Sequence, residues 1–515
     1  MGLFTRRSKY TALEPDEIFI DSENLPSFDR AHLEGKIERP LSPHMYKRVL
    51  VAVALVVFVL SVQAGYLMVV RGDEFAARAE NNHLAQDLIV AERGRIVDRY
   101  GVALAENRSG TTTDARLVER EYPLKESAAH LVGYVSYPKR DQNGFWYQDT
   151  THGVVGAEYL FDEILSGENG IEIVERKATG DTVSGSIVKS PQSGVDVELS
   201  IDAELQVAMH DAIAERVDAA FKGGAGAVMD VYTGELLALV SYPSFNPEVM
   251  SSGKPESEVR GFVNDPRAPF LDRAVVGLYA PGSIIKPFIA AAALEEKVVT
   301  PQTTFVSTGR LVLPNPFDPE NPSIFRDWRA HGAVDMRRAI AVSSDVYFYI
   351  VGGGFESQRG LGISAINAYA QKFGFGMHTG FPEEDEPTGT VPSPEWKAEI
   401  FDDPLWRVGD TYTTSIGQYG WQVTLLQSLR ATAALANGGM LVTPSILKGV
   451  QGAQQSVPIE SEHLTVAREG MRMAVTEGTA QALSFPEVRV AAKTGTAEVG
   501  LKKEESNSLV IGFFP

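Results

Sequence analysis

Between Val49 and Val70 the chain runs 22 residues without a charged side chain, reading VLVAVALVVFVLSVQAGYLMVV. At about 1.5 Å per helical residue this run reaches roughly 33 Å, enough to cross the hydrocarbon core of a bilayer. A buried core helix seldom runs this far without a charge. A cleaved signal peptide has a shorter apolar stretch and fewer residues ahead of it. Flanking charge sets the expected orientation. Arg30, Lys36, Arg39, Lys47 and Arg48 precede the run, whereas residues 71–90 hold only Arg71 and Arg78 as basic side chains. The positive-inside rule then places the N-terminus in the cytoplasm and everything beyond Arg71 outside. Residues 1–48 carry eight basic and eight acidic side chains, so the formal net charge of -20 belongs to the exported part. This tail is polar and lacks sustained periodicity, which predicts disorder.

The 515 residues allow two to four domains at about 100–200 residues each. The acidic balance argues against nucleic acid as a main partner, because phosphate binding needs basic patches. With no cysteine, disulfides, thiolate-bound zinc and thiol catalysis are excluded, and no redox compartment is indicated. Residues 71–201 hold short β-like runs at 171–174 and 195–199, with Gly-containing turns at 166–170 and 177–181. Asp202 is the expected N-cap of a helix carrying Leu205, Met209, Ile213 and Val217 at four-residue spacing. Two strands at 225–231 and 236–241 follow as a hairpin, so a new domain is expected to open near 202. The run Glu383-Glu384-Asp385-Glu386 reads as a solvated loop.

The chemistry begins at Tyr279-Ala280-Pro281-Gly282-Ser283-Ile284-Ile285-Lys286. Ser-x-x-Lys alone is weak, since it recurs at Ser136, Ser186, Ser251 and Ser445. Here Pro281 and Gly282 mark a turn into a helix through Ile289 and Leu294. One helical turn lets the Lys286 amine reach the Ser283 hydroxyl. A serine is a weak nucleophile until a base takes its proton. Lys286 serves if neutral, and apolar neighbours plus a second cation lower a lysine pKa. Ser343-Ser344-Asp345 lies downstream, and Lys493-Thr494-Gly495-Thr496 further on in a strand context, where Gly495 allows close approach by a ligand. Each also has a bland reading: Ser343 as a helix cap, Lys493 as a strand-end surface charge. His331 and Asp327 raise the alternative of a metal pair against ordinary hydrogen bonding in a loop, and the second is the default.

The three motifs in this order resemble the signature of the β-lactamase and penicillin-binding serine enzymes. From Val49 onward the chain resembles a class B penicillin-binding protein of the cell-elongation type. Arg93-Gly94-Arg95-Ile96-Val97-Asp98-Arg99-Tyr100-Gly101 and Gly153-Val154-Val155-Gly156-Ala157-Glu158 are similar to boxes of the family's N-terminal module. His331-Gly332, Ser415-Ile416-Gly417-Gln418 and Val391-Pro392-Ser393-Pro394-Glu395-Trp396-Lys397 are similar to stretches of its transpeptidase domain. No glycosyltransferase domain has room before residue 202, which argues against class A.

The resemblance implies an α+β architecture: a cytoplasmic tail at 1–48, an anchor at 49–70, a β-rich dimerisation or pedestal module at 71–201, and a transpeptidase domain at 202–515. That domain would be an antiparallel sheet flanked by helices. Relatives usually continue past the equivalent of Pro515 with another strand and a helix, so the domain is expected to be C-terminally incomplete. Ser283 would attack the D-Ala–D-Ala bond of a peptidoglycan stem peptide and Lys286 would accept its proton. Ser343 would relay a proton to the leaving D-alanine, Asp345 would orient the site, and Lys493 would supply positive potential. Thr494, Gly495 and Thr496 would hold the substrate carboxylate, and the backbone N–H groups of Ser283 and Thr496 would form the oxyanion hole. An amine of a second stem peptide would resolve the acyl-enzyme, with no cofactor and no metal. Implied partners are β-lactams, a membrane glycosyltransferase, other elongation proteins and the lipid bilayer. Hydrolysis on the same motifs, as a D,D-carboxypeptidase or β-lactamase, and a non-catalytic wall-synthesis scaffold are the alternatives.

Overall fold

A computed structural model describes residues 43–75, 84–108, 118–142, 146–176, 182–315, 318–382, 386–500 and 505–515. The chain divides into two compact units, Met1–Leu84 and Ala85–Pro515. In the first, the helix Pro43–Gly65 runs into a π-helical turn, Tyr66–Val70. Among the described residues it is the one helix long and apolar enough to cross a membrane. It starts six residues before the apolar run. Pro43 suits a first helical position, and a nucleated helix propagates readily through Tyr46, Lys47 and Arg48. Residues 1–42, most of the expected tail, lie outside the described residues.

The second unit opens with a small sheet in the order Val197–Glu198, Ile96–Val97, Ala103–Arg108, Glu119–Glu121. Its first pair is parallel, Val197 beside Ile96. The strand expected at 195–199 is shorter because Val195 and Asp196 bond elsewhere. Val195 N–H donates to Ile164 O, and Asp196 accepts from the Arg95 N–H. The run at 171–174 belongs to Gly170–Arg176, paired antiparallel with Thr182–Lys189. The turn expected at 177–181 lies outside the described residues. The two N-terminal boxes meet in a buried charge network. Arg93 Nε lies 2.6 Å from Glu158 Oε2, and Arg120 Nε lies 2.7 Å from Glu158 Oε1. Breaking such a buried pair by removing one partner costs about 3–5 kcal/mol, so Glu158 ties the strands around it to the helix Gly156–Leu160.

Asp202 caps the helix Ala203–Ala220 as expected, accepting from Glu204 N and Leu205 N. A Cβ at Gly224 or Gly226 would press on Ile213, Val217 and Met209, so the helix's apolar stripe lies directly on the following hairpin. That hairpin pairs Gly224–Met229 with Leu236–Tyr242. The first strand ends at Met229 because the Asp230 carboxylate takes the N–H groups of Tyr232 and Thr233, closing a turn. A second antiparallel hairpin, Ala491–Val499 with Glu505–Phe513, covers both runs expected at 493–496 and 508–513. Among the described residues these two hairpins are separate two-stranded ladders, and the helix Leu425–Ala436 packs on both.

The main core surrounds the helix Lys286–Glu295, buried at every position from Lys286 to Leu294. A helix apolar all round belongs in an interior, and Met336–Ala341, Asp345–Gly353 and Ser461–Glu477 enclose it. The acidic run at 383–386 departs from expectation at its last residue. Glu386 is 3% exposed and accepts from the Thr379 N–H and hydroxyl. Residues 383–385 lie outside the described residues.

Candidate active site

Ser283 lies in a 3-10 turn, Gly282–Ile285, that opens into the helix starting at Lys286. Three glycines let backbone segments close on this turn. Gly282 has φ +54, and a Cβ there would sit 2.7 Å from Thr496 O. Its N–H donates to Gly417 O at 2.9 Å, and a Cβ at Gly417 would meet Gly282 O. Gly495 packs against Pro281 O and Ile284. The close approach expected of a ligand at Gly495 is therefore made by the Ser283 turn.

Around the turn, four of the five expected catalytic side chains are joined directly. The Lys286 amine donates to Ser343 O at 2.9 Å, Ser343 Oγ at 3.3 Å and Asp345 Oδ1 at 2.6 Å. The Lys493 amine reaches Ser343 Oγ at 2.9 Å and Thr494 O at 2.6 Å. Both lysines are wholly buried, so Lys493 is not the surface charge its bland reading allowed. Burial, and then the neighbouring Lys286 cation, push the Lys493 amine well below the ordinary lysine range.

The geometry refines the expectation for Lys286. Its three bonds go to Ser343 and Asp345, not to the Ser283 hydroxyl one turn away. A charge-assisted bond to a carboxylate is about twice as strong as a neutral one, so Asp345 wins the amine. The other four Ser-x-x-Lys lysines are unlike it. Lys189 pairs with Glu168, Lys448 pairs with Glu198, and Lys139 and Lys254 are exposed.

Ser343 has φ +58, a conformation costing roughly 1–2 kcal/mol for a residue with a Cβ. It does not cap the next helix. Ser344 does, accepting from Tyr347 N. Thr494 and Thr496 share a strand face opposite Lys493. Thr496 is exposed, whereas the Thr494 hydroxyl donates to Thr479 Oγ1 at 2.8 Å. The Asp327 carboxylate accepts from Ser307, Ser344, Val346 and Trp328. Its setting is thus a hydrogen-bonded loop, with His331 Nε2 3.4 Å from Oδ1. Burial is the main cause of His331's lowered pKa, against the opposing pull of Asp327. Thr479, Trp328 and the grip of Asp327 on Ser344 had no sequence signal, since each acts through the fold.

Residues 224–515 match the penicillin binding protein transpeptidase domain, and residues 113–199 match the penicillin-binding protein dimerisation domain. The first match takes in more than half of the chain, which therefore belongs to the penicillin-binding protein family. A peptidoglycan D,D-transpeptidase named MrdA from Haemophilus influenzae is 34% identical over 412 residues, covering 75% of this chain and 60% of that relative. This chain thus spans less than two thirds of that relative's length. The solved structure of Pseudomonas aeruginosa PBP2 in complex with WCK 5153 is 32% identical, with TM-score 0.64, covering 82% of this chain and 88% of that one. The complex between PBP2 and MreC from Helicobacter pylori matches at 26% identity and TM-score 0.68, covering 84% and 92%.

Proposed function

We propose that this chain is a peptidoglycan D,D-transpeptidase that cross-links stem peptides during cell-wall elongation through an acyl-enzyme on Ser283. One observation carries the reading. Next to the Ser283 turn, the Ser343 hydroxyl lies between two buried lysine amines, one of them held by Asp345. Ser283 Oγ attacks the carbonyl between the two D-alanines, and its proton passes to Lys286. For this the amine must be neutral and release its longest contact, the one to Ser343 Oγ. The tetrahedral oxyanion is taken by the N–H groups of Ser283 and Thr496. The C–N bond then breaks, and D-alanine leaves with a proton relayed through Ser343. Lys493, with Thr494, Gly495 and Thr496, orients the substrate carboxylate. A second stem peptide's amine attacks the ester, forms the cross-link and returns the proton to Ser283.

The module at 71–201 and the transpeptidase domain at 202–515 are our domain limits, supported by the cap at Asp202 and the matched ranges. The MreC complex of a similar protein supports an elongation-machinery partner, and a β-lactam ligand is expected on the same serine. We place the catalytic domain outside the plasma membrane on a single span. A protease added to spheroplasts should digest the region after Arg71 and spare a tag ahead of Lys47. Protection of both would overturn the topology.

The activity is tested by supplying the full chain in membranes with a D-Ala–D-Ala stem peptide and an amine acceptor. D-alanine release matched by acceptor-linked product is expected. Release without that product would mean a hydrolase, and no release would leave a scaffold.

A further inference from the structure

Ser343 holds an unfavourable backbone conformation, and besides the lysine bonds to its own hydroxyl and carbonyl the chain is held on either side of it. Two adjacent residues from a distant loop grip the chain on either side of it. Behind Ser343, the Trp328 indole Nε1–H donates to Val342 O at 3.2 Å. Ahead of it, Asp327 Oδ2 accepts from the Ser344 hydroxyl at 2.9 Å and from Val346 N–H at 3.1 Å. The Asp327 side chain is fully buried. It is fixed in turn by the Ser307 hydroxyl on Oδ2 at 3.1 Å and by Trp328 N–H on Oδ1 at 2.9 Å. His331 packs edge-on against the Trp328 ring at 5.1 Å and steadies the loop.

We propose that Asp327 and Trp328 are positioning residues, a clamp that holds Ser343 in the left-handed conformation placing its hydroxyl between Lys286 and Lys493. The inference rests on the reading of Ser343 as proton relay. A left-handed residue with a Cβ relaxes when its neighbours are freed. Rotation about φ would carry Ser343 Oγ away from both amines, although no catalytic side chain had been altered.

The test measures acylation of the full chain in membranes by a fluorescent penicillin. Asp327→Asn keeps size but presents N–H where a carboxylate oxygen accepts, and Trp328→Phe keeps the ring but loses the indole N–H. Each is expected to slow the acylation rate constant about tenfold, one positioning bond at about 1.4 kcal/mol, and to shift its pH profile. Non-covalent penicillin affinity should be unchanged. Ser307→Ala removes a bond to the same carboxylate but not to the turn, and should acylate within about twofold of the parent, as all three bonds from Asp327 and Trp328 to the turn remain. Ser343→Ala should be slower than any of them. Clamp variants that acylate at the parent rate, or slow no more than Ser307→Ala at matched thermal stability, would overturn the proposal. Parent-rate acylation by Ser343→Ala would instead overturn the relay reading, and the clamp's role with it.

Discussion

Ser283→Ala is expected to abolish covalent labelling by a fluorescent penicillin while leaving the protein folded. The reason lies in how the turn is built. Its shape comes from backbone contacts, Gly282 N–H to Gly417 O and Gly282 against Thr496 O, and none of these involves the serine side chain. Ser283 is half-buried, and its hydroxyl makes no hydrogen bond among the described residues. Removing it should therefore change stability by no more than about 1 kcal/mol. The chemical effect is total, because the ester to Oγ is the label itself. Ser445→Ala is the control. That serine is also followed three residues later by a lysine, but Lys448 is paired with Glu198 at 3.0 Å, far in character from a buried amine. It should label at the parent level. Undiminished labelling of Ser283→Ala would move the nucleophile elsewhere.

What the sequence revealed and what it hid divide along a physical line. Ser283 with Lys286, Ser343 with Asp345, and Lys493 with its strand are legible because their spacing is set within one turn or one strand. Their convergence on the Ser343 hydroxyl is legible only through a resemblance that carries the three-dimensional arrangement with it. Asp327 and Trp328 act across 14 to 19 residues of loop and helix, a separation with no periodicity to betray it. Asp327 accepts from backbone and hydroxyl donors. Glu386 shows the same limit in reverse. A run of acidic letters predicts solvation, yet one carboxylate at its end turns inward to Thr379. The long apolar helix is visible as hydropathy, but its start is not, because helices extend past the apolar residues that define them.

The two lysines should respond differently to arginine. Both are fully buried, and both reach the same hydroxyl, Lys286 at 3.3 Å and Lys493 at 2.9 Å. A guanidinium stays charged at any workable pH, so it donates hydrogen bonds but does not take a proton. Lys286 is proposed as the base, and a positioned base contributes about 10²–10⁴ in rate. Lys286→Arg should lose acylation on that scale even if Asp345 still pairs with it. Lys493 is proposed to supply positive potential, which arginine retains, along with donors for Ser343. The larger head must still fit a packed site, and overpacking costs about 1–3 kcal/mol. Lys493→Arg should thus fall by about tenfold to a hundredfold. One observation works against a purely static role for Lys493, since burial and then the neighbouring Lys286 push its amine well below the ordinary lysine range. If its proton travels through Ser343 during acylation, arginine at 493 would block the same path as arginine at 286. Equal losses in the two variants, measured as acylation rates at matched fold stability, would show that the lysines share proton transfer. A milder loss for Lys286→Arg would reverse the assignment of base and field.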